Sequence, residues 1–235
     1  MKIQVIASGS SGNAYLVSDG YTSLLLDVGI GIAAIQKAVK FKLTSINGAL
    51  ITHVHQDHAK SSTVKDLLNR GICIYTSQGT IDALNIDHHN LIAVKELKRI
   101  EIGSWYVLPF DVVHDAPEPL GFVITSKKTK EKLLYFTDTA YLKYKFNGIT
   151  HLLAEANYSF DAMRQTVLAG DMPNGLGPRI IKNHMSIETL IDFLKANNFR
   201  NLSEIHLLHL SSANSDAALF KEMVQEVSGV PVYTH

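Results

Sequence analysis

The chain has 235 residues, 46% hydrophobic and 19% charged, a globular composition that excludes intrinsic disorder. Lys plus Arg number 22 and Asp plus Glu also 22, so no global basic field draws in nucleic acid, and any such binding rests on a local patch or on metals. One cysteine, Cys73, excludes an internal disulfide framework and a thiolate cluster.

In chain order, residues 2–7, 14–18 and 22–26 read as short strands, separated by the turn clusters SGSSGN and SDGY. A helical stretch over 32–39 follows, then a short buried strand over 48–51. Residues 61–69 predict a helix closed by Gly71, 72–75 a strand, and 80–85 a short helix. The middle third is β-rich, with strand candidates at 105–108, 112–113, 121–125 and 133–136, and KKTKEK at 127–132 as a solvated hairpin tip. The last third predicts a strand at 151–154, a helix at 160–168, a Gly/Pro loop over 170–178, an amphipathic helix at 186–197, a strand at 205–208 and a helix at 215–227. These elements predict an α/β chain, one domain over 1–235. The first residues lack the apolar run of a signal peptide, and no stretch reaches the ~20 apolar residues of a membrane span. A cytoplasmic protein with no membrane partner is expected.

The strongest chemical signal is T-H-V-H-Q-D-H at Thr52–His58. His53, His55 and Asp57 stand at i, i+2 and i+4, so an extended backbone turns them to one side, and His58 follows as the chain bends into the next helix. Further donors sit at ends of strand candidates: His114, Asp138 and His209. A carboxylate can serve two ions with its two oxygens, which makes Asp138 the bridge. His53, His55 and His114 then form one site, and Asp57, His58 and His209 the other. Five imidazoles and two carboxylates suit two divalent ions of zinc, manganese or iron.

These motifs resemble the metallo-β-lactamase superfamily of binuclear hydrolases, over almost the whole chain. The resemblance implies an αββα sandwich of two mixed β-sheets flanked by helices. It makes Asp27, in LLLDVG, the aspartate that orients the histidine loop. Seventy residues separate Asp138 from His209, too few for the extra domain of the RNA-processing and DNA-repair branch. The 26 residues after His209 are too few for the helical domain of glyoxalase II. SGSSGN, HDAPEP, TDTA, EAN, NHMS and HLSSANS together resemble the WalJ/YycJ group of DNA exonucleases, with Asn183 and Met185 departing from that group's usual glycine and leucine. A similar layout occurs in tRNase Z enzymes.

The group resemblance implies a 5′-end-directed DNA exonuclease. It makes His184 the general acid and Glu155 its orienting partner, while Asp57 ligates metal and steers the nucleophile's proton. Arg179 and Asn13 are candidates for substrate contact. Two other readings stay open: a hydrolase of small cyclic phosphodiesters, esters or lactones, and a non-catalytic metal-dependent binding or sensor protein. Self-association is also left open.

Overall fold

The computed structural model describes residues 1–170 and 176–235, and these fall into two compact units. Part of the expected Gly/Pro loop, 171–175, lies outside the described residues.

The first unit comprises 1–111 and 116–131. Its six-stranded sheet runs in chain order: β1 (Lys2–Ala7), β2 (Ala14–Ser18), β3 (Ser23–Leu26), β4 (Gly48–Leu50), β5 (Ile74–Thr76) and β6 (Leu91–Ala93). The SGSSGN and SDGY turns join antiparallel neighbours, as their glycines and serines predict. From β3 to β6 the pairing is parallel. The connections there hold α1 (Ile32–Ala38), α2 (Ser61–Asn69) and α3 (Gln78–Leu84). In α2 the buried residues are Thr63, Val64, Leu67 and Leu68, one face of a 3.6-residue period. That face joins Leu25, Ile35, Ala49, Ile51 and Ile74 in a continuous core. Each fully buried aliphatic side chain there contributes about 1.5–3 kcal/mol. Gly71 follows α2 at φ +79°, a left-handed turn that favours glycine. The unit also holds an antiparallel run of β7 (Ile100–Ile102), β8 (Trp105–Asp111) and β9 (Leu120–Ser126).

The second unit comprises 112–115 and 132–235. It contains four parallel strands, β10 (Lys132–Phe136), β11 (His151–Glu155), β12 (Glu204–Leu208) and β13 (Val232–Thr234), adjacent in that order. All five residues of β11 are buried, as a strand between two parallel neighbours requires. Helices α4 (Phe160–Ala169), α5 (Leu176–Asn183) and α6 (Ile187–Ala196) lie between β11 and β12, and α7 (Ala217–Ser228) precedes β13. Ser159, Ser186 and Asp216 cap α4, α6 and α7 with side-chain oxygens.

Three local expectations are corrected. Val112 and Val113 are not in a strand, because β8 ends at Asp111 and the chain leaves the ladder before His114. Leu176–Pro178 are helical rather than loop, since proline is tolerated in a first helical turn, where its missing N–H has no partner to lose. The short strands β6, β7 and β13 go beyond the predicted set, each only three residues long.

Candidate metal centre

In the first unit, the buried strand β4 delivers Thr52 and His53 to its carboxyl end. Asp27 is wholly buried and left-handed at φ 55°, which turns the chain after β3 and aims the carboxylate at the histidine loop. Its Oδ1 accepts the Thr52 N–H at 2.8 Å. Its Oδ2 accepts from His58 Nδ1 at 2.8 Å. The Thr52 hydroxyl lies 3.0 Å from Asp27 Oδ2 and 3.0 Å from His53 Nδ1. A carboxylate only accepts, so the single hydroxyl hydrogen goes to Asp27 and His53 Nδ1–H donates to Thr52 Oγ1. Both imidazoles are thereby fixed with the lone pair on Nε2, the arrangement metal-ligating histidines adopt.

The distances between donor atoms fit an ion. His53 Nε2 and His55 Nδ1 are 3.1 Å apart, and His58 Nε2 and Asp57 Oδ2 are 3.3 Å apart. Two nitrogens bound at ~2.0–2.1 Å to one tetrahedral ion stand about 3.3 Å apart.

Asn13 is also wholly buried. Its side chain donates to Gly9 O at 3.1 Å and Asp57 O at 3.2 Å and lies 3.1 Å from His58 Nε2, and its backbone N–H donates to Asp57 O at 2.7 Å. The structure therefore places this expected substrate contact beneath the ligand loop, where it fixes Asp57. Gly29 completes the support, because a Cβ there would lie 1.7 Å from Asp57 O.

In the second unit, His114 Nδ1–H donates to Asn183 O at 3.1 Å, leaving Nε2 as the donor atom, 3.7 Å from Asp138 Oδ2. The Asn183 contact uses the backbone carbonyl, so the asparagine side chain is not part of it. Asp138 leaves β10 at φ 46° and His209 leaves β12 at φ 53°. Left-handed backbone at non-glycine residues is uncommon and clusters at functional sites. Asp138 Oδ1 accepts from Thr137 Oγ1 at 2.9 Å and lies 3.0 Å from His209 Nδ1.

Glu155, at the end of β11, is fully buried. Its Oε1 accepts from His184 Nδ1 at 2.6 Å and His209 Nδ1 at 3.1 Å. Its Oε2 accepts the N–H of Thr139 at 3.0 Å and of Met185 at 3.1 Å. These four contacts occupy about four carboxylate lone-pair positions and tie Glu155 to each of these neighbours. Burial pushes its carboxyl up, but the imidazole of His184 and the donated hydrogen bonds outweigh it and hold it below the usual value. Burial conversely lowers His184, and the Glu155 charge more than reverses this, so its pKa is raised. His209 is pushed up to about 10, since Asp138 and Glu155 overcome burial.

His184 directly follows α5, with its ring centroid 5.8 Å from that of His114 and 5.4 Å from that of His209. Donor atoms of Asp138, Glu155, His184 and His209 all lie within 4.8 Å of one another, a cluster able to hold a metal. Arg179 is exposed and pairs with Asp115 Oδ2 at 3.4 Å.

Three polar neighbours of the candidate ligands were not singled out from the sequence. Thr52 sets the His53 tautomer. Asn157 Nδ2 donates to His209 O at 2.8 Å, while its backbone pairs with Met185 and Ser211. Asp115 lies 3.5 Å from His114 Nε2. Their signal was faint: short polar residues adjoining candidate ligands, indistinguishable in sequence from turn formers.

Histidines and carboxylates gathered at strand ends, able to hold a metal ion, define a candidate metal centre in a protein of α/β class. The Beta-lactamase superfamily domain matches residues 22–207, and the chain belongs to that family. Exodeoxyribonuclease YycJ of Bacillus anthracis is 27% identical, over 97% of this chain and 89% of its own length. The metallo-β-lactamase fold protein YhfI of Bacillus subtilis superposes with TM-score 0.74 at 17% identity, covering 99% of this chain and 95% of its own. Human tRNase Z, short form, superposes at 0.61 with 16% identity, covering 100% of this chain and 96% of its own. The expected α/β fold, two mixed β-sheets flanked by helices, is the fold of this family and of these structures. The chain is a metallo-β-lactamase-fold hydrolase. No helix among the described residues is long and apolar enough to cross a membrane.

Proposed function

We propose that this hydrolase cleaves phosphodiester bonds, as a 5′-end-directed exonuclease on DNA in the cytoplasm, with 1–235 acting as one catalytic domain. The observation that carries the reading is the His184–Glu155 pair, 2.6 Å apart and next to metal-ligating candidates. A lactone or ester hydrolase has less need of such a pair, whereas a phosphodiester releases an alkoxide that must be protonated. The likeness to an exodeoxyribonuclease supports DNA as the substrate.

His53, His55 and His114 are proposed to hold one divalent ion, Asp57, His58 and His209 a second, and Asp138 both. Zinc, manganese and iron all suit this donor set. Two such ions, when bound, would supply an activated water and offset charge on the phosphate. His184 acts as the acid from Nε2, because Glu155 holds Nδ1–H. Asp57 steers the proton of the attacking water. Asp27 and Asn13 keep the loop in place. Arg179 contacts a substrate phosphate once it exchanges Asp115 for it.

The test is a substrate panel. End-labelled single- and double-stranded DNA, RNA, a cyclic dinucleotide and a lactone are offered to the metal-loaded protein. Mononucleotide release from the 5′ end of DNA is expected. Lactone cleavage alone would overturn the reading, and metal binding with no hydrolysis would favour a sensor.

A further inference from the structure

A cavity of about 600 Å³ opens in the first unit, walled by Ser77, Val94, Lys95, Glu96, Pro119 and Leu120. Strand register fixes its place. Leu50 pairs with Tyr75, and Thr76 with Ala93, so β4, β5 and β6 end side by side. Thr76 Oγ1 donates to Ile51 O at 2.9 Å, and Leu120 N–H donates to Thr52 O at 2.9 Å. Ser77 and Leu120 therefore flank the residues that lead into His53. With strands ~4.8 Å apart, the cavity begins within one or two strand spacings of the histidine loop. Crevices outside the carboxyl ends of parallel strands are where open α/β sheets bind ligands.

The lining selects the occupant. Val94, Pro119 and Leu120 offer an apolar surface. Glu96 and Asp111 bring carboxylates to it, against the one cation of Lys95. The Glu118 carboxylate accepts Gly79 N–H at 2.7 Å. This balance repels a phosphate. It suits a neutral heteroaromatic ring whose amino groups donate to carboxylates, as adenine and cytosine do.

We propose that this cavity receives a nucleobase of the substrate, adjacent to the bond being cut. The proposal rests on the phosphodiesterase reading for its purpose, and on the cavity alone for its chemistry.

The probes are deoxyadenosine and deoxycytidine, which carry no phosphate, titrated into the full chain by NMR. Ala93 lines the cavity and is exposed, so Ala93→Trp fills the space without entering the core. Weak saturable nucleoside binding is expected, reduced about tenfold or more by Ala93→Trp, the size of a lost base contact. Glu96→Gln, at a second exposed position, should weaken binding several-fold, and 2-deoxyribose 5-phosphate should not compete. In turnover, Ala93→Trp should raise KM for a dinucleotide by roughly tenfold and leave hydrolysis of bis(p-nitrophenyl) phosphate, which has no base, unchanged. The proposal is overturned if nucleosides fail to bind, if both variants bind them as well as the parent chain, or if the sugar phosphate competes. A chain that binds nucleosides yet cleaves neither diester would overturn the phosphodiesterase reading and leave the base site standing.

Discussion

Asp27 stands wholly buried and bonded to Thr52 N–H, the Thr52 hydroxyl and His58 Nδ1, and this sets the orientation of two histidines at once. Asp27→Asn would present an amide donor to His58 Nδ1–H, forcing the other tautomer. Metal affinity should fall about 10–100-fold, measured by competition with a chelator. Asp138→Ala removes the proposed bridge and should lower metal content and abolish turnover; two ions per chain with normal turnover would defeat that assignment. His184→Ala should keep the metal and lose about 10²–10⁴-fold in rate on DNA, but much less on a p-nitrophenyl nucleotide ester, whose leaving group needs no proton. Loss of a metal instead would make His184 a ligand. The pH dependence follows from the raised His184 pKa. The protonated form donates, so activity falls as pH rises through that raised value. Glu155→Gln removes the charge that sustains it, and burial then prevails. The alkaline limb of the kcat profile should move to lower pH.

At the level of elements, the candidate ligands Asp138 and His209, and Asp27 that orients the histidine loop, sit where strands stop. Asp27, Asp138 and His209 all leave their strands with left-handed backbone. Such conformations cost of order 1–3 kcal/mol each and persist only where surroundings enforce them. In the second unit that enforcement is visible. Asn157 N–H donates to Met185 O at 2.9 Å and Asn157 Nδ2 to His209 O at 2.8 Å, so the end of β11 fastens both flanking segments. In the first unit Thr52 and His58 hold the Asp27 carboxylate, and Gly29 packs against Asp57 O with no room for a Cβ. Gly29→Ala must push the ligand loop aside. A loss of about 1–3 kcal/mol or more is expected, read as a lower thermal midpoint together with weaker metal binding.

The same elements mark what sequence could show. The hairpins around SGSSGN and SDGY, and α2 with its apolar face, were legible because turn chemistry and period are local. So was the histidine run, since four donors in six residues have few other uses. The three-residue strands β6, β7 and β13 were not, because so short a run has no period and is set by its neighbours in the sheet. Nor was the role of Asn13. A turn asparagine and one buried under Asp57 differ only in what the rest of the chain brings against it.

For the whole molecule, charge decides how a polyanion is held. The 22 basic and 22 acidic residues cancel, so attraction at long range is weak. Lys127 of the KKTKEK segment pairs with Glu101 at 3.1 Å, and Arg179 with Asp115 at 3.4 Å, which further spends cations that a phosphate would use. Affinity for DNA must then come from the proposed metals and a few local contacts. Each phosphate neutralised by Lys or Arg releases counterions and steepens the fall of log Kobs with log salt by about 0.9. A protein with no net positive charge should show a slope of only a few phosphates, measured by fluorescence anisotropy on a catalytically dead variant over a salt series. Arg179→Ala should shorten that slope by about one phosphate if the arginine exchanges Asp115 for substrate, and leave it unchanged if the ion pair is purely structural. A steep slope, like that of a protein gripping ten phosphates, would instead reveal a basic groove and move the main source of affinity from the metal loop to the surface.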